Sequence, residues 1–257
     1  MTRLQANGVS VRRGGRAIID DLSLQLAGGS FVALIGPNGA GKSTLMAALA
    51  GLLVPDAGEV SLDGKSLRHI RGRALARVRA YLPQNPRAEW PLSVERLIAL
   101  GLTPQLPAFG GLPAAFEARV ATAIDQFDLT ERRDQPATTL SGGELSRAML
   151  ARALVGDPDI LLADEPLTGL DPRHAIDGIS RLRALAEAGK LVVASIHDLT
   201  LTARYATHVA VMREGRLIAF GETAATLTAA LLSDAFEVDA CVSGAGTSRA
   251  IVDFISR

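Results

Sequence analysis

The sequence has a single cysteine, Cys241, in 257 residues, so no disulfide can form within the chain. Such usage fits a reducing compartment. It also lacks an excess of charge of either sign. Lys plus Arg and Asp plus Glu number 27 each, and no global field recruits nucleic acid or an anionic lipid surface. Any anion must therefore be held by local geometry. No apolar run reaches the roughly 18 residues of a membrane-spanning helix; residues 45–54 come closest and Gly51 interrupts them. The opening Met1-Thr2-Arg3-Leu4-Gln5-Ala6-Asn7-Gly8 has no apolar core of signal-peptide length. Repeats and low-complexity tracts are absent too. The expectation is a soluble protein able to dock on something that is not.

What is present is a hydrophobic content of 48% with 21% charged residues, ordinary for a globular chain with a sizeable core. Leu22, Leu24 and Leu26 alternate with polar residues at the two-residue period of a strand with one wet face. Residues 31–35, 160–163 and 191–194 are continuously apolar, as strands covered on both faces are. Phe116, Val120, Ile124 and Phe127 recur at helical spacing. Alternating strands and helices predict a mainly parallel α/β sheet, with a late hairpin over 209–220 around Gly215. From Gln84 to Gly111 the chain is rich in Pro and Gly, and helices follow with no clear strand before Ile160. This reads as a mostly helical insertion of about 70 residues. A small helical and extended tail closes the chain from about Thr223.

Gly36-Pro37-Asn38-Gly39-Ala40-Gly41-Lys42-Ser43-Thr44 lies between an apolar strand and a helical stretch starting near Lys42. A triphosphate must be wrapped by backbone N–H groups that converge. Glycines allow that curl, and the helix start adds its positive end. Lys42 is able to reach the β- and γ-phosphates, and the Ser43 hydroxyl to ligate Mg²⁺. A chance match of this pattern is on the order of 1% from residue frequencies. The pattern assigns a nucleoside triphosphate site, not the reaction that uses it. No Asn-Lys-x-Asp guanine motif occurs, which tilts the base towards adenine.

The strand over 160–163 ends in Asp164-Glu165-Pro166. Sites in parallel sheets form at the carboxyl ends of strands, where the phosphate loop also lies. Asp164 is suited to the Mg²⁺ shell. Glu165, expected on the opposite side of the strand line, is free to act as general base or to orient the attacking water. Leu140-Ser141-Gly142-Gly143-Glu144 is a capping box whose two glycines weaken the helix they open by roughly 0.5–1 kcal/mol each. In return they bare backbone N–H groups to close approach. Two phosphate-seeking helix starts thus flank the insertion. Either the insertion bends back over the cradle, or two chains face head to tail around two nucleotides. Spacing alone does not choose.

In this order the residues resemble the ATP-binding cassette family over nearly the whole chain. The matches are residues 36–43, Gln84 after Tyr81-Leu82-Pro83, residues 140–144, Asp164-Glu165-Pro166, Gly169-Leu170-Asp171-Pro172 and His197. The resemblance implies a P-loop NTPase core of α/β class with a mainly parallel sheet. To it are added an antiparallel N-terminal β portion and an inserted helical subdomain. The corresponding division is an ATP-binding domain over 1–230, its helical subdomain over approximately 85–158, and a tail over 231–257. It further implies ATP and Mg²⁺, a head-to-tail homodimer, and Ser141, Gly142 and Gly143 closing on the partner's ATP. Gln84 would contact Mg²⁺ or the attacking water, Asp171 would line the dimer seam, and His197 would bond the γ-phosphate. Read alone, Gln84 is a polar loop residue, Asp171 an N-cap before Pro172, and His197 a surface residue. One departure stands out: Arg13 falls where the family has an aromatic residue that stacks on adenine. A guanidinium can stack there instead.

The gap from Ser43 to Ser141 is too short for the coiled coils of DNA-acting members, and the chain has one cassette, not a tandem pair. The resemblance therefore points to a transporter ATPase with separate transmembrane permease subunits and, indirectly, a periplasmic substrate-binding protein. It would sit peripherally on the cytoplasmic face of the bacterial inner membrane. Residues 80–84, 93–101 and 235–239 look like importers of iron chelates, haem or cobalamin, although Leu102 and Glu237 differ from that group. Trp90 and the Pro-rich stretch 104–113 are candidate permease contacts, Trp90 being equally a candidate core residue. A cassette ATPase for a metal ion or molybdate, a soluble assembly-factor ATPase, and a nucleotide-gated module of negligible turnover are the alternatives.

Overall fold

The computed structural model describes residues 2–107 and 113–255. Strands β1 (Arg3–Arg13) and β2 (Arg16–Ala27) form an antiparallel hairpin. Leu22, Leu24 and Leu26 are buried on one face of β2 while the residues between them are exposed, as their period requires. Next come β3 (Phe31–Ile35), entirely buried, and α1 (Lys42–Leu49). Strands β4 (Ala57–Leu62) and β5 (Lys65–Ser66) complete a four-stranded antiparallel sheet in the order β2-β1-β4-β5.

Helix α2 (Gly72–Val78) leads to β6 (Arg79–Leu82). The helical segment follows as α3 (Val94–Ala99), α4 (Ala114–Gln126) and α5 (Gly142–Leu154), which pack on one another through Val94, Ile98, Val120, Ile124 and Met149. Trp90 is 72% exposed, so the reading of it as subdomain core fails. Of the Pro-rich stretch, residues 108–112 lie outside the described residues. The remaining elements are β7 (Ile160–Asp164), α6 (Pro172–Glu187), β8 (Leu191–Ser195), α7 (Leu199–Tyr205), β9 (His208–Arg213) and β10 (Arg216–Glu222). The tail holds α8 (Thr223–Thr226), α9 (Ala229–Phe236) and a hairpin of β11 (Asp239–Ser243) with β12 (Ile251–Ile255).

The central sheet runs β10-β9-β3-β8-β7-β6, parallel except for the β9–β10 pair. Its apolar strands feed two cores by strict alternation. Val32, Leu34, Ile160, Leu162 and Val193 meet α1 and the antiparallel sheet. Phe31, Ala33, Ile35, Leu161 and Val192 meet the helices on the other face. The continuous apolar runs are thus two interleaved patterns, each burying one face of a doubly covered sheet. Strand order then sets the site. The segments leaving the carboxyl ends of β3, β8, β7 and β6 lie side by side, carrying the glycine loop, His197, the Asp164-Glu165 pair and Gln84.

Candidate functional site

The glycine loop after β3 is braced from β9 and from the turn that follows it. Gly36 has φ 146°, and a Cβ there would lie 2.1 Å from the Met212 carbonyl oxygen, so no side chain fits. The Gly215 N–H donates to the Ala40 carbonyl at 3.2 Å. Lys42 is only 8% exposed and its ammonium donates to the carbonyls of Gly36 and Pro37 at 2.7 and 3.0 Å. Burial pushes Lys42 below the usual lysine range, opposed by the charges of Glu165 and Asp164. The ammonium and both carboxylates share one field. Asn38, Gly39 and Ser43 are exposed, Pro37, Gly41 and Thr44 partly so, and Ala40 is buried beneath the turn. The mouth of the loop faces outward, as an anion arriving from solvent requires.

Asp164 ends β7 and is 2% exposed. It accepts a hydrogen bond from the Ser195 hydroxyl at 2.6 Å, and that hydroxyl in turn accepts from the Glu165 N–H at 3.0 Å. Ser195 lies directly across from Asp164 in the β7–β8 register, so one hydroxyl fixes both halves of the acidic pair. The sequence reading expected pleat alternation to separate the two carboxylates. Instead Glu165 takes φ 52°, a left-handed turn that leaves the strand and swings its side chain onto His197, Gln84 and Thr168. His197 Nε2 lies 2.6 Å from Glu165 Oε1, Thr168 donates to Oε2 at 3.2 Å, and Gln84 donates as well. Burial works against ionisation of Glu165, but the hydrogen bonds from His197, Gln84 and Thr168, with the His197 charge, outweigh it. The carboxyl is held below the usual glutamate range. The structure therefore brings together Gln84, Glu165 and His197, read from three separate stretches of sequence. It engages His197 with Glu165.

Helix α5 opens with both reciprocal bonds of the capping box. Glu144 Oε2 accepts from the Ser141 N–H at 2.9 Å and its hydroxyl at 2.8 Å, while Oε1 accepts from Arg132 at 2.8 Å. The Arg132 hydrogen bond, followed by those of Ser141, lowers Glu144 to about 2. Ser141 and Gly142 are exposed, and a Cβ at Gly142 would meet nothing within 4 Å. Packing inside this chain does not demand a glycine there. Gly142 lines a 380 Å³ cavity with Pro83, Asp164 and Glu165, in which residues 36–43 take no part.

Asp171 caps α6, accepting from the His174 N–H at 3.0 Å, with the His174 ring 2.7 Å from its other oxygen. Arg13 sits exposed at the end of β1, paired across the hairpin with Arg16. Sequence reasoning missed Ser195 and Thr168. The one polar residue closing the apolar run 191–194 was the available signal for Ser195.

Residues 19–168 match the family described as ABC transporter. The hemin import ATP-binding protein HmuV of Bordetella parapertussis is 42% identical over 234 residues, covering 88% of this chain and 88% of that protein. The protein of the same name from Nocardia farcinica is 42% identical over 242 residues, 91% of this chain and 82% of its own length. Among solved structures, an ATP binding subunit of an ABC transporter superposes with a TM-score of 0.77 at 28% identity, covering 85% of this chain and 89% of that one. A chain described as an inward-facing metal-chelate type ABC transporter gives 0.82 over 99% and 97% at 22% identity, a likeness of fold. With the glycine loop, the capped helix start and the acidic strand end in that family's order, the chain belongs to the ABC transporter family and is an ATP-binding, ATP-hydrolysing member of it.

Proposed function

We propose that two copies of this chain hydrolyse ATP to drive uptake of an iron chelate, haem in particular, through separate permease subunits. The observation that carries the hydrolytic part is Glu165, held by His197 at 2.6 Å and by Thr168 at 3.2 Å, at the strand end beside the Asp164 carboxylate. In this reading the loop amides and Lys42 hold the β- and γ-phosphates, the ammonium exchanging its loop carbonyls for phosphate oxygens. Glu165 orients water in line with the γ-phosphorus and accepts its proton as the new P–O bond forms and the bond to ADP breaks. His197 and Gln84 hold the Glu165 carboxylate and report on the γ-phosphate. Mg²⁺ would be held by the Ser43 hydroxyl, the Asp164 carboxylate and the Gln84 amide oxygen. This hard oxygen set suits an ion that takes one or two carboxylates with water and phosphate oxygens. When bound it supplies charge neutralisation on the phosphates.

Shared sites are supported by the exposed, unpacked Gly142 and by the absence of residues 36–43 from the cavity beneath it. Head to tail, Ser141, Gly142 and Gly143 would close on the partner's ATP, with Asp171 along the seam and Arg13 beside the base. The cargo reading comes from relatives named for hemin import. No helix among the described residues is long and apolar enough to cross a membrane. A permease, fed by a periplasmic binding protein, would supply the path, with this chain on the cytoplasmic face. The surface offered to the permease is a 330 Å³ groove between β6 and the helical segment, lined by Arg77, Arg79, Arg87 and Arg152 with no carboxylate among the described residues. We divide the chain accordingly into an ATP-binding domain over 1–230, with the helical subdomain over approximately 85–158, and a tail from 231.

The test is co-expression with a candidate hemin permease and reconstitution of the complex into proteoliposomes with ATP and Mg²⁺ enclosed, followed by uptake of hemin presented outside on a binding protein. Hemin-stimulated hydrolysis and uptake that both vanish in Glu165→Gln are expected. Hydrolysis with no co-purifying membrane subunit would instead favour a soluble assembly role.

A further inference from the structure

Helix α7 begins two residues after His197 and has only seven residues. A helix this short does not hold its place by its own hydrogen bonds and takes it from its neighbours. On the side towards α6 the packing is incomplete. A 440 Å³ cavity opens there, lined by Glu165, Ile176, His197, Thr200, Leu201 and Arg204. Tyr205 at the far end is tied to α6, its carbonyl accepting from Arg183 at 3.2 Å.

The other side is held by the carboxyl-terminal hairpin. The Thr200 hydroxyl both donates to the Val252 carbonyl and accepts from the Val252 N–H, each at 3.2 Å. Thr200 thereby occupies the place of a strand beside β12. Arg204 donates to the Ala250 carbonyl at 2.8 Å, and the Gly246 N–H donates to the Ala203 carbonyl at 2.8 Å. An isolated two-stranded hairpin is marginal, and this one is anchored in turn. The Ala240 N–H donates to Ser233 at 3.0 Å, and the Phe236 and Phe254 rings lie 5.8 Å apart. Arg213, at the end of β9, pairs with Asp234 and Glu237 at 3.1 and 2.7 Å. The preceding residue, Met212, is the one whose carbonyl crowds Gly36. A continuous run of contacts leads from the strand bracing the glycine loop, through α9 and the hairpin, to α7 and His197.

We infer that the hairpin is a positioning element for hydrolysis, with Thr200 and Arg204 as positioning residues that set α7 and hence the His197–Glu165 contact. This rests on the hydrolytic reading of those two residues. His197 must meet Glu165 within hydrogen-bond distance, and the cavity beside α7 leaves room for the helix to drift once the hairpin releases it.

The test uses the full chain, with steady-state hydrolysis and ATP affinity measured for Thr200→Val, Thr200→Ser, Arg204→Gln and His197→Ala. Thr200→Val and Arg204→Gln are expected to lower kcat about three- to tenfold, as small misplacements of a reacting group do. KM for ATP should stay within about twofold, since the glycine loop is untouched. Thr200→Ser, which keeps the hydroxyl, should restore kcat. Folded Thr200→Val and Arg204→Gln proteins with unchanged kcat, whatever their Tm, would overturn the inference. So would parallel losses of kcat and ATP affinity, which mark a general lesion. If Thr200→Val does not fold, Arg204→Gln, at the margin of the contact, decides alone. An inactive His197→Ala beside unaffected hairpin variants removes the clamp only. A fully active His197→Ala removes the hydrolytic reading itself.

Discussion

Lys42 and Gly142 both stand at the start of a helix, where backbone N–H groups have no partner within the helix, yet the chain treats them oppositely. Lys42 is buried and bonded to two carbonyls of a loop that β9 crowds at Gly36. Gly142 is exposed, with open space where its side chain would be. The cradle is assembled by its own fold, at the cost of burying a cation whose pKa falls as a result. The helix start at Gly142 is only pre-shaped: Glu144 and Arg132 hold Ser141 in place, and in the proposed reading a second chain's nucleotide completes it. A glycine at a position where packing within the chain leaves open space is what the proposed shared site requires.

The largest expected effect falls on the buried side. Lys42→Ala should weaken ATP binding at least about 100-fold, since it removes a charge-assisted clamp on the phosphates; titration calorimetry reads this directly. On the exposed side Gly142→Ala should lower hydrolysis at least about tenfold, while Tm stays level or rises, because alanine favours the helix over glycine. A lower Tm would mean that glycine is needed by the fold after all, and the contrast would collapse. Ser195→Ala tests the interior of the acidic pair. It leaves the buried Asp164 short of a donor and should cost roughly 1–3 kcal/mol in urea unfolding, with kcat lowered more than ATP affinity. The smallest effect concerns the cap. Glu144 is depressed to about 2 by Arg132 and Ser141, so its stabilisation is present above the unfolded value near 4.5 and is lost as pH falls towards 2. Glu144→Gln should lower Tm at pH 7 by no more than about 3 °C, and the difference should shrink below the unfolded value near 4.5 and vanish only towards pH 2. A difference that persists there would show that shape, not charge, maintains the cap.

Much of the frame was legible because its signals are local. The runs 31–35, 160–163 and 191–194 are short, apolar and bounded by turns, and the glycine loop, the capping box and the acidic strand end each carry their chemistry within a few residues. What escaped depends on pairing between distant segments. Ser195 looks like the polar end of an apolar run until the β7–β8 register sets it opposite Asp164. The left-handed turn at Glu165 has no glycine to announce it, and three bonds to its side chain stabilise it instead. The hold of Val252 on Thr200 joins residues with no shared motif. Trp90 failed as a core residue because a large aromatic suits a pocket and a surface equally well, and 72% exposure decides for the surface.

Mixing two inactive chains tests most directly whether one nucleotide is gripped by two of them. Lys42→Ala lacks a working cradle and Gly142→Val a working signature start, so each alone should be silent. In a head-to-tail heterodimer one of the two sites receives both defects and the other receives neither. An equal mixture should therefore regain about one quarter of the wild-type sites, half the dimers being mixed with one intact site each, and hydrolysis should return in proportion. A mixture as silent as its components would mean that each chain completes its own site, and the shared-site reading would be wrong.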